Sequence, residues 1–95
     1  MAEKPPTGPD YDKRVTKPSQ LKKNARFRRY FWDGRRWITA DYVVVEPPRL
    51  RRRYGLFIVI QEEGGQREMI LSDMGVTPPP GRAEVDDDIY TVILP

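Results

Sequence analysis

Positive charge and aromatic rings are interleaved in one stretch of the chain. Between Lys13 and Arg36 lie ten lysines or arginines and a single acidic residue, Asp33. Such cations bind phosphate groups, and exposed aromatic rings stack on unpaired bases. The stretch therefore predicts a surface that binds nucleic acid. Its cations are Lys13, Arg14, Lys17, Lys22, Lys23, Arg26, Arg28, Arg29, Arg35 and Arg36.

A second basic cluster follows at residues 49–53, and we interpret it as a loop that adds to the same surface. Its members are Arg49, Arg51, Arg52 and Arg53. Among the aromatic residues, Tyr30, Trp32 and Trp37 are the candidates for stacking on bases. Aromatic rings in a small β domain are more often buried than exposed, so Trp32 and Trp37 suit the core equally well.

The inventory of reactive side chains argues against an enzyme. The chain has no His and no Cys, so the commonest general base and the thiol nucleophile are both missing. Gly64-Gly65 lacks the lysine and the following helix that a phosphate-binding loop needs. We therefore expect no catalytic site and no cofactor.

An acidic run, Asp86–Asp88, is the candidate for a metal site. Consecutive residues in an extended segment point to opposite sides, so their carboxylates seldom converge on one ion. We interpret the run as a solvated turn before the last strand and expect no metal site. The preceding segment, Thr77–Gly81, is interpreted as a stiff polyproline connector.

The first basic stretch must be positioned by a β-hairpin. Two strand-like runs, Arg26–Trp32 and Arg35–Ile38, flank Asp33-Gly34, which is typical of a two-residue type I′ turn. In that register Tyr30 lies opposite Trp37. Because side chains alternate between the faces of a strand, the two rings share one face with several arginines.

Further strands follow along the chain. Pro47-Pro48 is expected to end the second strand, because proline cannot donate to a β-ladder. Leu56–Ile60 is apolar at every position, which predicts a central strand buried on both faces. Gly64-Gly65 predicts a turn into a return strand, Arg67–Leu71, and Ile89–Leu94 is the last strand.

Composition divides the chain into an arm and a folded unit. Residues 1–25 are rich in proline and poor in apolar side chains, so we expect an extended basic arm. Residues 26–95 are expected to form a small single domain that is mostly β. Several short strands without a helical period predict a small barrel or a curled antiparallel sheet, SH3-like or OB-like.

The net charge of +3 hides a strong division. Residues 1–54 hold 15 basic and 6 acidic residues, whereas residues 55–95 hold 2 and 8. Such asymmetry indicates an arm or face that binds anions. The absence of Cys fits a reducing compartment, and the longest apolar run is too short to span a membrane. We expect localisation in the cytoplasm, or within a particle assembled there.

Two functions remain open at this point. The first is a binding module for nucleic acid, either free or in a ribonucleoprotein. The second is a small accessory subunit of a large protein assembly, such as a phage particle, a transcription complex or a membrane complex. Its arm would then thread between neighbours and bury apolar anchors such as Tyr11, Val15 and Leu21. Phosphate binding weakens steeply with salt, so salt dependence discriminates between them.

Overall fold

The computed structural model describes residues 8–53, 55–76 and 89–95, and the side chain of Ile89 is not among them. The polyproline connector Thr77–Gly81 and the acidic run Asp86–Asp88 therefore lie outside the described residues, as do the first seven residues of the expected arm.

Five antiparallel strands make up the described part of the chain. They are β1 (Arg26–Trp32), β2 (Trp37–Arg51), β3 (Gly55–Glu62), β4 (Gly65–Ile70) and β5 (Ile89–Ile93). Short 3-10 turns occur at Tyr11–Lys13, Pro18–Gln20 and Leu71–Met74. The strand order is β4-β3-β2-β1-β5, and within the described residues the outer strands β4 and β5 do not pair.

The prediction of a small, mostly β domain with an antiparallel sheet is confirmed, and the sheet is open rather than closed into a barrel. No helix in the described ranges has the length and apolar character needed to cross a membrane.

The β1–β2 hairpin has a different register from the one expected. Trp32 pairs with Trp37, and Tyr30 pairs with Thr39, so the connection is the loop 33–36 rather than a two-residue turn. The carboxylate of Asp33 accepts backbone N–H groups inside this loop and so stabilises the longer connection. The shift spans two residues, so each side chain keeps its predicted face.

Strand β2 continues through Pro47-Pro48, where we expected it to end. The ladder with β3 is irregular on both sides of Glu46, and regular pairing resumes at Arg49. A β-bulge leaves residues without a partner in the ladder, so the missing N–H groups of the two prolines cost nothing there. The strand therefore carries Arg49 and Arg51, two of the four arginines that we had placed in a loop.

Strand β3 is not the central strand, which is β2. Ile58 and Ile60 are fully buried, whereas Phe57 and Val59, on the opposite face, are only half-buried. The prediction of burial on both faces therefore holds for one face only. The turn into β4 lies at residues 63–64, because Glu62 pairs with Gly65.

The core lies against one face of the sheet, here called the core face. Its sheet residues include Phe27, Tyr42, Val44, Ile58 and Ile60, all buried. Side chains from outside the sheet cover them. These are Val15, Leu21, Leu71, Met74 and Val76.

The opposite face, here called the second face, carries a smaller apolar cluster. Tyr30, Tyr90 and Val92 are buried there, and Tyr11, which precedes the first strand, packs against them. The rings of Tyr30 and Tyr90 are stacked with centroids 5.2 Å apart. A side chain at Gly8 would overlap the Tyr90 ring, so the backbone passes directly over this cluster.

Residues 8–25, here called the N-terminal segment, pack on the sheet, although composition had led us to expect an arm outside the core. Val15 is 4% exposed and Leu21 is fully buried. The Val15 N–H donates to the carbonyl of Thr91 at 2.7 Å, and the Asn24 N–H donates to that of Val44 at 2.8 Å. Two buried apolar side chains and two backbone hydrogen bonds thus hold the segment on the sheet. The division of the chain at residue 26 remains a prediction about which part folds alone.

Replacing Leu21 should destabilise the whole domain. Leu21→Ala removes a fully buried side chain and leaves a cavity, so we expect the free energy of unfolding to fall by about 2 to 5 kcal/mol. Leu50→Ala is the matched control, because Leu50 is 79% exposed, and it should change the same quantity by less than about 0.5 kcal/mol. Urea denaturation measures both. Equal midpoints for the two variants would show that the segment does not contribute to the core.

Candidate nucleic-acid interface

The loop between β1 and β2 presents two arginines to solvent. The Asp33 Oδ1 atom accepts the backbone N–H groups of Arg35 and Arg36, each at 2.8 Å, and these bonds hold the pKa of Asp33 below its usual value. The guanidinium of Arg36 lies 3.9 Å from Asp33 Oδ2. Both arginine side chains are exposed. The loop therefore offers two cations, one of them partly neutralised.

The aromatic candidates beside this loop mostly pack on each other. The rings of Trp32 and Trp37 pack edge to face, with their centroids 5.4 Å apart. The ring of Trp37 also packs edge to face on that of Tyr90, with the centroids 5.9 Å apart. Both tryptophans are half-buried. Tyr30 is only 6% exposed, and its hydroxyl donates to Asp10 Oδ2 at 2.9 Å. Tyr30 is thus a packing residue, and Trp32 and Trp37 retain part of their surface for contact.

The guanidinium of Arg28 forms an ion pair within the sheet. It donates to both carboxylate oxygens of Asp41, at 2.7 and 3.0 Å, across the β1–β2 ladder. The bonds raise the pKa of Arg28 and lower that of Asp41. The neighbouring Arg26 donates to the backbone oxygen of Pro95. Arg29 points to the core face, opposite Thr91.

The β2–β3 hairpin carries the second basic cluster at its end. Arg51 donates to both oxygens of Glu68, at 2.8 and 2.6 Å, and its guanidinium lies 4.3 Å from the centre of the Phe57 ring. Arg49 lies 3.5 Å from a carboxylate oxygen of Glu46. These pairs neutralise two of the four arginines.

The remaining two arginines of the cluster have no ion-pair partner among the described residues. Arg52 and Arg53 form the turn after β2, both are exposed, and no carboxylate of the described residues pairs with either. Beside them Leu50 is 79% exposed, a large apolar side chain that sequence reasoning did not single out. Pairing with β1 ends at Val43, so this part of β2 extends past β1. We call residues 49–53 the arginine tip.

Two lysines of the N-terminal segment, Lys22 and Lys23, precede β1 and so lie at the end of that strand away from the β1–β2 loop. Lys22 and Lys23 are exposed in a turn that the Ala25 N–H closes onto the carbonyl of Lys22. The next residue, Asn24, is hydrogen-bonded to Val44, beyond the last β1–β2 pair and towards the tip. The other cations of the segment lie along the β5 edge, where the backbone of Arg14 forms an isolated β-bridge with Val92. These cations are Lys13, Arg14 and Lys17.

The predicted site residues thus fall into separate groups. The arginine tip lies at one end of β2, and the β1–β2 loop with Arg35, Arg36 and the two tryptophans lies at the other. The turn between β3 and β4 adds Glu62 and Glu63 to that other end. Lys22 and Lys23 precede Asn24, which is bonded to Val44 in the middle of β2. In the described ranges no group of three or more acidic side chains is arranged to hold a metal ion.

Ion pairing makes the stability depend on pH through Asp41. Its pKa is lowered in the folded state, so its contribution is present above about pH 4, the ordinary value for Asp, and is lost as the pH falls through the folded pKa. Asp41→Asn should cost about 0.5 to 1 kcal/mol at pH 7, a modest value because the pair is exposed, and less at pH 3. Thermal melts across pH measure this. Glu63→Gln is the control, and a matching pH trend in that variant would contradict the assignment.

No family model, curated protein or solved structure matches this chain.

Proposed function

We propose that this chain is a non-catalytic module that binds the phosphate backbone of nucleic acid, free or within a ribonucleoprotein, through the arginine tip. The observation that carries the proposal is the exposure of Arg52 and Arg53 at the end of a hairpin, without a carboxylate partner among the described residues. Uncompensated guanidinium groups on a projecting turn suit phosphate, because they keep their donors and lose little by leaving water.

The shape of the hairpin supports the same function. A two-stranded β-ribbon is narrow enough to enter the major groove of a B-form DNA duplex or to lie along a backbone. The arginine tip places the guanidinium groups of Arg52 and Arg53, unpaired among the described residues, at one end of β2. At the other end, Asp41 and Glu62 are ion-paired with Arg28 and Arg67. The unpaired groups of the arginine tip would therefore attract a polyanion to that end of the hairpin.

The arrangement of the aromatic rings favours binding that is independent of sequence. Tyr30 is buried, and Trp37 packs against Tyr90. Stacking on unpaired bases needs an open ring face close to the phosphate contacts. The two tryptophans lie at the far end of β2 from the arginine tip, so we assign the affinity to backbone contacts.

A second candidate is a small accessory subunit of a protein assembly. The observation in its favour is Leu50, because a large, exposed apolar side chain between arginines suits a protein surface with acidic and apolar groups. The proposed threading arm has less support, because Val15 and Leu21 pack inside their own domain. If the partner is protein, Leu50→Ala should weaken binding, and salt should affect the affinity less.

The test is oligonucleotide binding by two charge-matched double variants. Arg52→Ala/Arg53→Ala should weaken binding to a labelled DNA duplex and to its single strand. It should also flatten the plot of log affinity against log salt by up to about 0.7 to 0.9 units for each lost contact. Arg35→Ala/Arg36→Ala removes the same charge from the opposite end and should change the slope less. Fluorescence anisotropy between 50 and 200 mM salt, about the range over which phosphate contacts weaken most visibly, measures both.

Two outcomes would contradict the proposal. Equal slopes for the two double variants would show that net charge, and not the arginine tip, determines binding. A lack of binding by the intact protein at about 50 mM salt, where phosphate contacts are strong, would exclude the nucleic-acid function. The accessory-subunit function would then be favoured.

A further inference from the structure

A cavity of about 280 Å³ opens beside the core face, between strands that do not pair with each other. Arg29 and Thr91 line it from β1 and β5, while β4 and the 3-10 turn after it supply the other wall. That wall consists of Arg67, Glu68, Met69, Ile70, Asp73 and Met74. The open sheet thus has a cleft, partly open to solvent, where a barrel would have closed.

Two polar atoms of residues that line this cavity are buried without a hydrogen-bond partner among the described residues. They are Nε of Arg29 and Oγ1 of Thr91, and Thr91 is only 2% exposed. The two residues are paired across the β1–β5 ladder, so their side chains lie next to each other on the same face. A buried donor without a partner costs free energy, which a ligand oxygen that accepts from both groups would recover.

The charges around the cavity restrict the ligand. Arg67 forms an ion pair with Glu62, with an N···O distance of 2.7 Å. Glu68 forms an ion pair with Arg51, with an N···O distance of 2.6 Å. Arg29 is therefore the lining cation left without an ion-pair partner among the described residues. The carboxylate of Asp73 is present on the opposite wall, and its charge opposes a doubly charged anion more than a singly charged one.

The apolar part of the cavity lining restricts the choice of ligand further. Met69, Ile70 and Met74 offer thioether and alkyl surface, and methionine adapts its shape to an irregular ligand. The volume is near the lower end of the range for small-molecule sites. We propose that the cavity binds a small monocarboxylate with an apolar body, whose carboxylate accepts from Arg29 Nε and Thr91 Oγ1. No residue of the arginine tip lines this cavity, and its ligand is independent of the function proposed above.

The test is a titration of the full chain with phenylacetate, followed by NMR of the backbone amides and the arginine side chains. We expect saturable shifts at Arg29 Nε, Thr91 and Met69. Thr91→Val keeps the shape of the side chain and removes its hydroxyl, so it should weaken binding about ten-fold or more. Thr39→Val, an exposed threonine on the second face, is the matched control and should bind as the unmodified protein does.

Two further measurements distinguish carboxylate binding from non-specific binding. Thr91→Val should also raise the melting temperature of the ligand-free protein, because it removes an unpartnered buried hydroxyl. 2-Phenylethanol, which has the same ring and no charge, should bind more weakly than phenylacetate. Absence of phenylacetate shifts at millimolar concentration would overturn the proposal. So would equal binding of inorganic phosphate, or unchanged affinity in a folded Thr91→Val protein.

Discussion

An open sheet with apolar side chains on both faces must be covered on both, and the rest of this structure depends on how that cover is provided. The described residues contain no helix longer than a 3-10 turn. The N-terminal segment takes the role instead. Val15 and Leu21 enter the core face, and Tyr11 packs on the second face. A segment of about 20 residues that contributes a few apolar anchors can do this because the domain is small and its core is thin.

The same arrangement determines which parts of the sheet are left for binding. The segment is bonded to β5 and crosses to β2 at Asn24, so it ends where the β2–β3 hairpin extends beyond β1. Its last two lysines, Lys22 and Lys23, therefore lie at the end of β1 away from the β1–β2 loop. The edges of the sheet do not pair with each other, which leaves the cavity beside Arg29 and Thr91. Both proposed binding sites thus follow from the way an unclosed sheet is covered.

The sequence patterns predict most of the strands and turns of the fold, but they do not predict which residues pair across the strands. Alternating apolar residues and turn dipeptides predicted both tested hairpins, but not their registers, because either hairpin could shift by two residues without moving a side chain to the other face. In the first hairpin the carboxylate of Asp33 decides the register through bonds that composition does not reveal. Val15 and Leu21 gave no periodic signal, since each is an isolated apolar residue among polar ones.

The candidate site was predicted as a set of cations but not as a geometry. Whether an arginine is available depends on its carboxylate partner, and the partners of Arg28 and Arg51 lie 13 and 17 residues away along the chain. Those pairs exist only in the observed register. The separation of the arginine tip from the β1–β2 loop likewise depends on β2 continuing through Pro47-Pro48, which a sequence rule had excluded.

Hydrogen exchange at the amide of Val15 tests most directly whether the N-terminal segment is part of the fold. This N–H donates to the carbonyl of Thr91, and the Asn24 N–H provides a second probe at the carbonyl of Val44. We expect both amides to be protected to nearly the same degree as those in β1, because they open only when the sheet opens. Exchange of both at the rate of an unstructured peptide, while the β1 amides stay protected, would contradict this account.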